Sequence, residues 1–267
     1  MDAVKEYYDS QAEKEWIRLN NPYTKIEFDS TNYLIDKYFP KDGEILDIGA
    51  GPGRYSLEML KKGYKVSLLD ISINELKIAE NKITESGLKA ENYFCKSAIQ
   101  LNEFPENKYD GVLLMGPLYH IHEEEIRTKV LKDTYRILKK GGTALISYIN
   151  SWGALRAAPH EFPDVFNDIK HFQGYFQGNL KFSAEESFTK TFFTTPLHAL
   201  QEVEGAGFEV ISYAAAEGFL SGLMPQMQEL SLNQPEIYKN FVRAAVESCE
   251  FPQYRDSSEH LHIIVKK

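Results

Sequence analysis

Residues 44–54 read Glu44-Ile-Leu-Asp-Ile-Gly-Ala-Gly-Pro-Gly-Arg54, and three signals follow one another in them without a gap. Residues 44–48 alternate and end on apolar side chains, as a short buried strand does. Gly49, Gly51 and Gly53 come next; without a Cβ, positive φ is cheap and a ligand can approach the backbone closely. Residues 54–62 then read as a helix stopped by Gly63, whose first N–H groups favour an anionic group. A second strand, residues 65–70, closes on Asp70. That acid stands about 20 residues beyond the turn, where a carboxylate can accept both hydroxyls of a ribose. Strand, turn, helix, strand and acid together predict a nucleoside-binding α/β domain.

The glycine spacing narrows the nucleoside. A dinucleotide fingerprint is Gly-x-Gly-x-x-Gly, whose third glycine lets the helix pack closely under a pyrophosphate. Here the pattern is Gly49-x-Gly51-x-Gly53, and Pro52 has no N–H to offer a phosphate. Asp47, two residues ahead, would repel a pyrophosphate and attract an ammonium. A ligand with a ribose, an amino group and one carboxylate fits better than NAD, and S-adenosylmethionine is such a ligand. Asp47-x-Gly49-x-Gly51-x-Gly53 with Asp70 resembles the class I S-adenosylmethionine-dependent methyltransferases, well over residues 40–150 and loosely elsewhere.

The resemblance implies a Rossmann-like, doubly wound, mostly parallel seven-stranded sheet with one antiparallel late strand. It places Asp47, Gly49, Ala50, Gly51, Gly53, Asp70 and Ile71 at the cofactor, with Met115 at the end of the fourth strand. It also lays an N-terminal helix over the cofactor, which would bring in Tyr8 and Trp16 as covering rings and Arg18 toward the cofactor carboxylate. An acid commonly follows the third strand in this family and holds the adenine amino group. Ser97 and Ala98 stand there instead, leaving a hydroxyl and backbone N–H groups to substitute.

Composition sets the outer bounds. The 267 residues are 43% hydrophobic and 26% charged, with no apolar run long enough to span a bilayer. Thirty basic against 39 acidic residues give a net charge of −9, which disfavours a nucleic-acid partner, whose affinity comes from Lys and Arg. Cys95 and Cys249 are too few for a disulfide framework and lack metal spacing; Cys95 lies in an apolar stretch and reads as core. The N-terminus lacks the apolar centre of a signal peptide, so a cytoplasmic location is the expectation.

Along the chain, residues 1–40 read as a helical cap, 41–150 as the S-adenosylmethionine-binding core, 151–195 as an inserted aromatic lid, and 196–267 as completion of the sheet with a further helical stretch. Ser72 and Glu75 have capping-box spacing at the start of the helix after Asp70. The segment after Asn150 is crowded with Phe and Tyr and lacks clean strand or helix periodicity. Stacked rings there could hold a flat acceptor or a cationic amine, or form the lid's own small core.

In open α/β sheets ligands sit beyond the carboxyl ends of the strands flanking the switch in strand order, so residues 115–120 should face the methyl acceptor. Tyr119 and His120 are the candidate catalytic side chains, and His titrates near neutrality. His120-x-His122 followed by three Glu could ligate a metal, but the acids are explained by a helix start and no metal is expected. The expected function is methyl transfer to a small-molecule acceptor. A cofactor-binding sensor without chemistry and a nicotinamide oxidoreductase are the alternatives; the glycine spacing disfavours the second.

Overall fold

A computed structural model describes residues 2–267. The strands are β1 (Glu44–Ile48), β2 (Lys65–Asp70), β3 (Asn92–Cys95), β4 (Tyr109–Leu114), β5 (Leu138–Asn150), β6 (Leu180–Phe182), β7 (Thr191–Thr194), β8 (Glu209–Ala215) and β9 (His260–Lys266). The helices are α1 (Asp2–Arg18), α2 (Thr24–Tyr38), α3 (Arg54–Lys61), α4 (Ile73–Glu85), α5 (Glu124–Ile137), α6 (Ser151–Glu161), α7 (Lys170–Gln177), α8 (Pro196–Gly205), α9 (Met224–Asn233), α10 (Pro235–Glu247) and α11 (Pro252–Arg255). Strands β3, β2, β1, β4 and β5 lie side by side and parallel, and β9 then runs antiparallel between β5 and β8. These seven strands are the doubly wound sheet with one reversed late strand that the resemblance implies.

Alternation along β1 sorts its side chains between two cores. Leu46 and Ile48 join Val112, Leu114 and Ile146 under α5 and α8, while Ile45 joins Val66, Leu68 and Leu113 under α2, α3 and α4. Asp47 has the parity of Ile45 and therefore points toward α3. The chain moves from β1 to β2 and β3 on one side, then returns to β4 on the other. A crevice opens at that reversal, beyond Ile48 and Leu114.

Three sequence expectations need correction. The segment after Asn150 is not an irregular loop: it contains α6, α7 and a hairpin of β6 and β7. Beyond the end of β4, β7 pairs in parallel with Ile149 and Asn150 of β5, so nine strands rather than seven join one sheet among the described residues. Cys95 is exposed, because β3 is the edge strand; Cys249 is buried. The stretch 218–257 holds α9, α10 and α11.

Candidate active site

The glycine turn is held mostly by its own amides. Gly49 and Ala50 N–H both donate to Leu69 O (2.8 and 3.1 Å), Gly53 N–H donates to Ala50 O (3.0 Å), and Gly51 N–H donates to Asp70 Oδ2 (2.8 Å). With Pro52 lacking an N–H, the turn leaves little to cradle a pyrophosphate. Gly49, Gly51 and Gly53 have φ of 77°, 53° and 79°, all in the left-handed region. Gly53 serves packing, since a Cβ there would stand 2.8 Å from Ala79 Cβ.

Above the turn lies a cavity of about 1020 Å³, its open mouth included. Of the residues expected at the cofactor, Gly49, Ala50, Gly51, Asp70, Ile71, Ser97, Ala98 and Met115 line it, as do Tyr8 and Arg18 from α1. Tyr119 and His120 line it too. Asp47 and Gly53 do not. Asp47 is buried on the α3 side, where its Oδ2 accepts from Ser56 Oγ at 2.7 Å, so its geometry anchors the helix rather than a ligand. Burial pushes its carboxyl up to about 7. Sequence reasoning missed Glu15, Glu27, Tyr55 and Glu75 on the wall. Only Glu75 carried a local cue, one helical turn after Asp70, and that cue pointed to a helix cap.

Asp70 closes β2 as a buried residue, 8% exposed, and backbone N–H groups of Gly51 and Ser72 (2.8 Å each) fix both oxygens of its carboxyl. Burial raises it to about 6, against the pull of those amides. Its free lone pairs can accept ligand hydroxyls. Arg18 donates to Glu15 (3.0 Å) and Glu27 (3.1 Å). Behind Glu27, Glu217 accepts from His260 Nδ1 at 2.7 Å. His260 is raised to about 9: burial opposes its charge, but Glu217 outweighs it together with Glu27 and Glu259.

His120 joins three elements. Its Nδ1 lies 2.7 Å from Lys190 O, and a carbonyl only accepts, so Nδ1 carries the proton. Nε2 is then the acceptor for the Tyr8 hydroxyl at 2.8 Å. Burial lowers His120 to about 4, so the ring is neutral. His122 likewise meets Thr191 O at 2.8 Å. His120 Nδ1 and His122 Nε2 thus each donate to a backbone carbonyl of residues 190–191. The aromatic segment packs on itself: Phe166 meets Phe172 at 4.4 Å and Tyr175 at 5.1 Å, and Phe182 meets Phe193 at 5.4 Å. None of its side chains lines the cavity among the described residues. Phe188 stands apart, 5.3 Å from Tyr7 and 6.2 Å from His120.

The raised acids predict a pH dependence. A carboxyl raised on folding stabilises the protein at low pH and loses that contribution as pH climbs through its folded value. Glu75, pushed up to about 9 by burial and then by Asp70, falls in this class, and His260 loses its pairing over the same range. Thermal unfolding of the unliganded protein should therefore shift to lower temperature from pH 6.5 to 9. An unchanged or rising Tm over that range contradicts this assignment.

Residues 45–142 match the family model described as "Methyltransferase domain". An uncharacterized protein of Methanocaldococcus jannaschii is 28% identical over 177 residues, 64% of this chain and 69% of that one. The Vibrio cholerae ubiquinone/menaquinone biosynthesis C-methyltransferase is 28% identical over 119 residues, 43% of this chain and 44% of the other. A solved structure of Burkholderia thailandensis 1,6-didemethyltoxoflavin-N1-methyltransferase, holding its substrate and S-adenosylhomocysteine, superposes with a TM-score of 0.62. It covers 100% of this chain and 88% of its own at 14% identity, a likeness of fold. Beyond the first, the curated relatives named here and others like them are matched over 44% to 61% of their length. The family match thus covers residues 45–142, and the chain as a whole shares the fold of solved S-adenosylmethionine-dependent methyltransferases. No helix among the described residues is long and apolar enough to cross a membrane.

Proposed function

We propose that the protein transfers a methyl group from S-adenosylmethionine to a small-molecule acceptor. The observation that carries this is one cavity lined both by Asp70, Ser97 and Ala98 and by Tyr8, Arg18, Tyr119 and His120. The residues present fit the cofactor. Asp70 would take the ribose, Ser97 and the Ala98 backbone the adenine edge, and the Gly49–Gly51 turn admits close approach. Arg18 would meet the cofactor carboxylate by exchanging part of its pairing with Glu15 and Glu27. When bound, S-adenosylmethionine supplies a methyl group already made electrophilic by its sulfonium. The protein's part is to hold the acceptor in line, since orientation can supply about 7–11 kcal/mol of barrier reduction.

His120 is the proton acceptor in this reading. Its Nε2 lone pair is presented into the cavity because Lys190 O holds Nδ1–H, and Tyr8 hydroxyl already bridges to it. Tyr8 can pass its proton to Nε2 while taking one from the acceptor. Tyr119 packs against the His120 ring at 4.9 Å; burial and then Glu27 push its hydroxyl up, so it stays a donor. His120→Asn keeps a donor where Nδ1 stands and removes Nε2. Its kcat, followed as S-adenosylhomocysteine formed across a panel of small amines, phenols and thiols, should fall by about 100-fold. Cofactor Kd should change little. A variant with wild-type kcat would remove His120 from the mechanism, and a wild-type protein inert toward the whole panel would favour the sensor.

A further inference from the structure

Glu75 is 1% exposed, lines the cavity beside Gly51, and has no hydrogen-bond partner for Oε1 among the described residues. Burying a polar atom unpaired is costly, so the site calls for a partner that the chain does not contain. The reason for the orphan is local. Glu75 is the third residue of α4, where a glutamate commonly turns back to the N-cap N–H. Here Asp70 Oδ1 takes the Ser72 N–H at 2.8 Å, while Ser72 Oγ still accepts from Glu75 N–H at 3.1 Å. Half of the capping box is formed and the other half is displaced. The glutamate side chain leans over the glycine turn instead: a Cβ on Gly51 would lie 2.7 Å from Glu75 Oε2. Gly51 N–H in turn donates to Asp70 Oδ2. Two carboxyls thus flank Gly51.

We propose that Glu75 is a second ribose-binding group, which with Asp70 clamps the vicinal diol of the nucleoside, Asp70 accepting from the hydroxyls and Glu75 donating to one of them. The inference rests on the S-adenosylmethionine reading of the cavity. Charges facing Glu75 are Asp70, Glu15 and Asp9 on the acidic side and Arg18 on the basic side. Two neighbouring buried acids do not ionise together. Asp70, held by backbone amides, sits at about 6 and Glu75 at about 9, so at neutral pH Asp70 is the acceptor and Glu75 the donor.

The test is calorimetric binding of S-adenosylhomocysteine and of its 2′,3′-dideoxyribose analogue to the full chain, for wild type, Glu75→Met and Glu75→Gln. Methionine matches the reach without the polar head. At pH 7, Glu75→Met should weaken S-adenosylhomocysteine about tenfold, the value of one lost hydrogen bond to a buried group, and leave the dideoxy analogue unchanged. Unliganded Glu75→Met should also melt higher than wild type, because the unpartnered carboxyl is gone. Glu75→Gln keeps a donor and an acceptor; it should bind like wild type at pH 7 and overtake it at pH 10, where wild-type Glu75 is ionised. Equal affinity of Glu75→Met and wild type, or equal loss for both ligands, overturns the clamp. If Glu75→Met does not fold, a Glu75→Gln to wild-type ratio that stays constant from pH 7 to 10 overturns it. Failure of wild type to bind S-adenosylhomocysteine at all would instead overturn the cofactor reading beneath it.

Discussion

Asp70→Ala is expected to weaken S-adenosylhomocysteine binding by about 100-fold, since two charge-assisted hydrogen bonds at about 1.5 kcal/mol each are lost. The side chain has no substitute, because it is the ionised carboxyl at the end of β2, with Gly51 and Ser72 amides fixing its direction. Those two contacts mean that the variant also loosens the turn, so far-UV circular dichroism must accompany the titration. Wild-type affinity carries a second signature. Asp70 sits at about 6, and ligand hydroxyls need its ionised form. Affinity should therefore fall as pH drops below about 6, and Asp70→Asn should lose that slope. An Asp70→Ala protein that is folded and binds like wild type would contradict the assignment of the nucleoside site.

Gly49→Ala should be the most damaging single methyl group in the chain's glycine turn. At φ 77° its Cβ would stand 2.5 Å from Met115 O and 2.5 Å from Pro117 Cδ. The left-handed backbone costs about 1–2 kcal/mol and the overlap about 1–3 kcal/mol. Together these predict a Tm about 5–15 °C lower for a chain of this size. Gly63→Ala is the matched control: its φ is 92°, but nothing lies within 4 Å of the added Cβ. It should show the backbone term alone. Equal melting of the two variants would mean that β1 and β4 are not tied together at Gly49.

The parts legible in the sequence were those decided within a few residues. Strand β1, the glycine turn, α3 and β2 with Asp70 follow from local patterning, and each found its expected place. Contacts between distant segments were not legible. Tyr8 meets His120 across 112 positions, and nothing near either residue announces the other. Strands β6 and β7 have three and four residues, too few for periodicity, and β7 pairs with β5 some 40 positions earlier, Ile149 opposite Phe193. The distance of Asp47 from the glycines points to the ligand, yet strand parity turns it to Ser56. The spacing of Glu75 predicts a capping residue; a competitor for the same N–H, Asp70, changes its role. Composition leaves the aromatic segment open between an acceptor pocket and a small core of its own, and its rings pack on one another.

The most direct test of the account is thermal unfolding of the full chain with S-adenosylhomocysteine, NAD or NADP, each in excess. At a hundred times its Kd a ligand adds about 2.7 kcal/mol, which is about 5–10 °C here. The account predicts that shift with S-adenosylhomocysteine and none with either nicotinamide nucleotide. A shift with NAD or NADP alone would contradict it, and would mean that a turn with its amides already bonded still holds a pyrophosphate.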